Sequence, residues 1–89
     1  MNAIVTVVGK DRVGIIAGVS SVMAELNINI LDISQTIMNN HFTMIMMVDI
    51  SNASKDISAI RKKLNQTGEK FNVTINFQHI DVYKAMHRI

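Results

Sequence analysis

The stretch Leu31 to Val48, LDISQTIMNNHFTMIMMV, decides the fold, because it holds two strands and the turn that joins them. Leu31, Ile33 and Ile37 alternate with Asp32, Ser34 and Thr36, the period of a half-buried strand. Past the turn, Phe42, Met44, Met46 and Val48 repeat that alternation. Between them stands Asn39-Asn40, and asparagine tolerates positive φ, so the pair suits a two-residue hairpin turn. The two strands are therefore expected to pair antiparallel.

Toward the amino terminus, Ala3 to Val8 is a short β-branched run ended by Gly9-Lys10-Asp11-Arg12, which reads as a strand and a loop. From Val13 the period changes. Ile16, Val19, Met23 and Leu26 recur at three- and four-residue steps, with Ile15 and Val22 widening the stripe, which predicts a helix to about Leu26. Gly14 and Gly18 each cost roughly 1 kcal/mol against alanine inside a helix, so a close contact at one or both is expected. Asn27-Ile28-Asn29 ends the helix.

Toward the carboxyl terminus, Ser54 is the expected cap of a second helix with Ile57, Ile60 and Leu64 on one face and Gly68 as its stop. Val73, Ile75 and Phe77 alternate with Thr74, Asn76 and Gln78 as a fourth strand. An Asp81-capped segment places Val82, Ala85, Met86 and Ile89 on one face of a short terminal helix. The order β-α-β-β-α-β, with right-handed crossovers, predicts an α+β ferredoxin-like plait: a four-stranded antiparallel sheet with strands one and three central. A single domain, 1–89, is expected, the plait over 1–80 and the helical tail over 81–89. The sheet face away from the helices carries Asp32, Ser34, Thr36, Thr74, Asn76 and Gln78 at its edges and Ile45 and Met47 between, suited to the tail helix or a partner subunit.

The chain has 89 residues, 48% hydrophobic and 18% charged, which suits a small globular core. At this size folding buries only about 60 to 65% of the unfolded surface, so a second subunit would add needed stability. There is no cysteine, which excludes disulfides, thiolate metal sites and a cysteine nucleophile. No apolar run approaches a membrane span, and the first ten residues lack the pattern of a signal peptide, so no membrane partner and a cytoplasmic location are expected. Net charge is +2 with basic residues scattered among acids, which argues against a nucleic-acid partner.

The plait serves many functions, so side chains must discriminate. An RNA-recognition motif needs exposed aromatics on strands one and three; strand one has none, and Phe42 shares the parity of Met44, expected to face the helices. A copper chaperone needs a cysteine pair, and acylphosphatase-like chemistry needs an anion cradle for which Arg12 alone is thin support. His41, His79 and His87 are not spaced to converge on a metal, although His79 and Asp81 form the nearest ligand-like pair. Ser20 and Ser21 lack a neighbouring base, and Arg61-Lys62-Lys63 reads as a solvated helix face. No catalytic residue, metal ligand or cofactor is expected.

Strand one followed by Gly9-Lys10-Asp11-Arg12-Val13-Gly14-Ile15, a helix ending Glu25-Leu26, and then Asn27-Ile28-Asn29-Ile30 resembles the ACT-domain pattern of regulatory amino-acid-binding modules. The resemblance spans nearly the whole chain. It is closest to short bacterial stand-alone ACT proteins related to the tandem-ACT glycine-cleavage regulators, in which the ending from Asp81-Val82-Tyr83 to Ile89 is also familiar. The sequence departs from the best-known ligand-binding pattern at Val13, where proline is common, and at Gly9, where some serine-binding members carry histidine.

The resemblance implies a non-catalytic homodimer that binds a small amino-acid-like ligand between the first loop and the start of strand two, often across a subunit interface. On that analogy the ligand-binding residues are Asp11, Arg12, Val13, Gly14, Ile15 and Asn29. Chemistry supports the assignment: Gly14 lets a ligand approach the backbone, free N–H groups at a helix start attract a carboxylate, Asp11 can receive an ammonium, and Asn29 offers a donor and an acceptor. Each residue also has a purely structural reading, Asp11 as a helix cap, Gly14 as a packing allowance and Asn29 as a turn former. The alternative function is a ligandless module that docks a regulated protein.

Overall fold

The computed structural model describes residues 1–10 and 13–81. Its elements are β1 (Asn2–Lys10), α1 (Ile15–Glu25), β2 (Asn29–Met38), β3 (His41–Asp49), α2 (Ile57–Phe71) and β4 (Val73–His79). They form the expected plait, an antiparallel sheet in the order β2-β3-β1-β4 with β1 and β3 central. The terminal helix expected over Val82 to Ile89 lies outside the described residues.

Asn39 and Asn40 adopt φ of 51° and 67°, so both central positions of the hairpin are left-handed and the twist of the turn matches that of the strands. One face of the sheet supplies Ala3, Val5, Val7, Phe42, Met44, Met46, Val48, Ile75 and Phe77 to the core. The helices answer with Ile15, Val19, Val22, Met23, Leu26, Ile60 and Leu64. Phe42 is buried there, as its parity requires.

Four local expectations are corrected by packing. Ile16 and Ile57, assigned to the apolar stripes, are exposed, because the helices rest on the sheet through Ile15, Val19, Met23 and through Ile60, Leu64. The cap of α2 is Asp56, whose carboxylate accepts from Ala59 N at 2.8 Å, and not Ser54. Asp56 directly precedes the first helical residue, where a side-chain acceptor reaches a free N–H. Nor does Gly68 stop α2: the helix continues to Phe71 and ends at Asn72 with φ 57°. A Cβ on Gly68 would lie 2.7 Å from the Val73 carbonyl oxygen, so glycine there permits α2 to press on β4. In β2, a bulge between Ile30 and Asp32 removes Leu31 from the alternation and puts Ile33 opposite Met46 and Ile37 opposite Phe42.

Candidate functional site

The first half of the expected site is the turn before α1. Gly14 has φ 91°, a left-handed conformation that side chains disfavour, and it precedes the helix without a side-chain cap. Among the described residues the first turn of α1 carries no acidic side chain, and a helix start of this kind favours an anion. Val13 is fully exposed, whereas the Ile15 side chain is in the core, which leaves only its backbone for a ligand. Asp11 and Arg12 lie outside the described residues.

Phe71, at the end of α2, walls this turn. Its ring is 3.8 Å from where a Gly14 Cβ would stand and would collide with a Cβ on Gly18. The close-contact expectation therefore holds at Gly18, while Gly14 answers to its backbone conformation. Lys70 Nζ lies 5.6 Å from the same ring centroid, which adds a cation near the turn.

Asn29, the second half, is elsewhere. It is the first residue of β2 and pairs with Asp49, which pairs with Asn2 at the start of β1. The Gly14 turn follows the other end of β1, where Lys10 pairs with His41 and His41 with Met38. Nine strand residues separate these ends by about 26 Å. Within one chain the expected meeting of the two bends does not occur.

Around Asn29 is a different polar corner. Ala24, Asn27, Ile28, Asn29, Asp49 and Asn52 line a cavity of about 450 Å³. Asn27, with φ 56°, makes the turn after α1, and its Nδ2 donates to the Asn52 carbonyl at 2.8 Å. Asp49 Oδ1 accepts from Ser51 Oγ at 2.7 Å and Ser51 N at 3.0 Å, and lies 3.4 Å from the Met1 ammonium. Those bonds, Ser51 foremost, hold the Asp49 carboxyl below its ordinary value, so it is charged at neutral pH. Sequence reasoning missed Asp49. Its signal was the Asp-x-Ser spacing at a strand end, where aspartate bonds to the backbone two residues on.

The two sheet edges differ. All of β2 except Ile30 is exposed, including the apolar Leu31, Ile33, Ile37 and Met38. At the bulge, Asp32 Oδ1 accepts from Ile33 N at 2.9 Å. On the opposite edge, Arg61 Nη2 donates to the Phe77 carbonyl at 3.0 Å and so occupies β4.

His79 Nδ1 accepts from Asp81 N at 3.2 Å and lies 3.6 Å from Asp81 Oδ2. At 3.6 Å the carboxylate contact is longer than a hydrogen bond. Among the described residues no three potential ligands cluster to hold a metal.

A family model for the ACT domain matches residues 2–78. A UPF0237 protein of Clostridium perfringens is 55% identical over 89 residues, covering all of both chains. The structure of an ACT domain protein from Streptococcus pneumoniae superposes with a TM-score of 0.82 at 46% identity, covering 98% of each chain. A structure described as a glycine cleavage system transcriptional repressor shares the fold, with a TM-score of 0.73 and 22% identity over 86% of this chain and 44% of that one. The plait, the glycine turn into α1 and these matches together establish that the chain belongs to the ACT-domain family.

Proposed function

We propose that this chain is a non-catalytic cytoplasmic sensor of a small amino-acid-like effector, with each site shared between two copies. ACT domains are commonly regulatory ligand-binding modules. The supporting observation is the direction of β2. It runs in the same direction as β1, with β3 between them, and its outer side pairs with no described strand, so a second copy joining it antiparallel brings the start of one β2 to the end of the other. Asn29 of the partner subunit then approaches the end of the sheet that carries the Gly14 turn, and the 26 Å separation within one chain ceases to be an obstacle.

In this arrangement the effector carboxylate sits on the backbone N–H groups at Gly14 and Ile15, bounded by Arg12 and Val13. Its ammonium is received by Asp11, or by the charged Asp49 beside Asn29 of the opposing copy. A ligand touching both copies favours the arrangement that holds both, and a regulated protein reads the shift. No reaction and no cofactor enter this scheme. Among the described residues no helix is long and apolar enough to cross a membrane.

Thermal melts by circular dichroism against single amino acids test this reading. An effector at 100 times its dissociation constant adds about 2.7 kcal/mol, or roughly 10 to 20 °C for a domain of this size. A shift abolished by Asn29→Leu supports the sensor. Silence across all amino acids overturns it and favours the second reading, a ligandless docking module, for which the exposed Ile16, Ile33 and Ile37 supply an apolar surface.

A further inference from the structure

Successive residues of β1 point to opposite faces of the sheet, and Ala3, Val5 and Val7 point into the core beneath the helices. Ile4, Thr6 and Val8 therefore point onto the other face, away from both helices. The two apolar residues there differ in burial. Val8 is 44% exposed, although β3 and β4 flank it through Thr43 and Thr74. Ile4 is flanked by the same two strands through Met47 and Gln78, yet it is only 4% exposed and takes no part in the core cluster.

Flanking strands alone leave the top of such a side chain open, because neighbours in a sheet stand side by side. Met47 and Gln78 are bulkier than the two threonines, but both are themselves half-buried, so the cover extends over them as well. Away from that end burial fades: Thr6 is half-buried, while Ile45, Asn76 and Thr74 are exposed. A cover therefore lies across one end of this face, over β4, β1 and β3.

That end is where β4 finishes. His79, its last residue, pairs with Ala3 beside Ile4. Ile80 and Asp81 then turn helical, and the bond from Asp81 N to His79 Nδ1 at 3.2 Å makes the imidazole the cap of this helix start. Ile80 is already half-buried. Next in the sequence, Val82, Ala85, Met86 and Ile89 fall at the spacing of one helical face. Continued as a helix, Val82 to Ile89 measures about 10 Å. The two strand spacings from β4 across β1 to β3 also sum to about 10 Å, so this apolar stripe has the length of the covered strip.

We infer that residues 82–89 continue the helix begun at Ile80 and lie across the strands on the face away from α1 and α2. Val82 then stands near Gln78, Ala85 and Met86 over Ile4, and Ile89 near Met47. The segment closes this end of the face to stacking of a second copy and leaves the β2 edge open. It uses no residue of the effector site.

The test is nuclear magnetic resonance of the full chain with ¹³C-labelled Ile, Val and Met methyl groups, alone and mixed with unlabelled chain. Expected are nuclear Overhauser contacts within one labelled chain between the Ile4 and Met86 methyl groups. Met86→Asp should move the Ile4 methyl resonance and leave those of Ile15 and Ile60, in the core, unchanged. In urea, Met86→Asp should raise the unfolding constant about tenfold in the parent and less than about threefold in Ile4→Ala, because residues in contact do not contribute additively. The methyl contacts need no variant, so the inference stays testable if Ile4→Ala fails to fold. Absence of contacts from residues 82–89 to Ile4, or equal effects of Met86→Asp in the two backgrounds, overturns it. So do contacts found only between labelled and unlabelled copies, which assign the cover to a second subunit.

Discussion

Replacing Ile33 and Ile37 together by lysine tests the assembly on which the shared site rests. Both residues lie on the helix side of β2, opposite Met46 and Phe42, yet remain 42% and 55% exposed, because the helices rest over the rest of the sheet. Complete burial of an isoleucine side chain stabilises by about 1.5 to 3 kcal/mol, so covering the exposed half of each contributes about 1 kcal/mol. Two residues in each of two copies give about 4 kcal/mol, or roughly a thousandfold in dimer dissociation constant. Lysine removes this burial and is a recognised guard of open edges. The fold should be little affected, since neither residue is in the core cluster. Sedimentation equilibrium should show the dimer weakened by about that factor, with unchanged circular dichroism and loss of the effector-induced melting shift. A double variant that dimerises within tenfold of the parent would refute assembly through β2.

Three further outcomes follow from the local geometry. Because Ser51 lowers the folded-state value of Asp49, its contribution to stability is complete above the unfolded value of 3.8 and is lost as pH falls through the lower folded value; melting curves of the parent and Asp49→Asn should therefore converge in acid and separate above pH 4. Gly68→Ala should destabilise by about 1 to 2 kcal/mol in urea, because the 2.7 Å approach of the Val73 carbonyl outweighs the helix-propensity gain of roughly 1 kcal/mol; a more stable variant would contradict the packing. Gly14→Ala should lose about 1 to 2 kcal/mol from its φ of 91°, with the Phe71 ring still outside hard contact at 3.8 Å, and unaltered stability by the same assay would count against the left-handed turn.

The order of elements and the hairpin were legible because they are local. Alternation in Leu31 to Val48, Asn39-Asn40 and the stripes of the two helices each depend on neighbours a few residues away, and backbone sterics interpret them the same way in any context. The Gly14 turn was legible for that reason too. What tertiary structure decided concerns spatial relations between distant residues. Whether Ile16 and Ile57 are covered depends on how each helix rolls on the sheet, Gly18 and Gly68 answer to Phe71 and Val73 on other segments, and Arg61 is drawn from its basic neighbours by the Phe77 carbonyl. The separation of Asn29 from Gly14 is of the same kind. Sequence assigned each a suitable chemistry, but strand direction placed them at opposite ends of β1, because a helix that returns along a sheet always starts the next strand at the end where the first began.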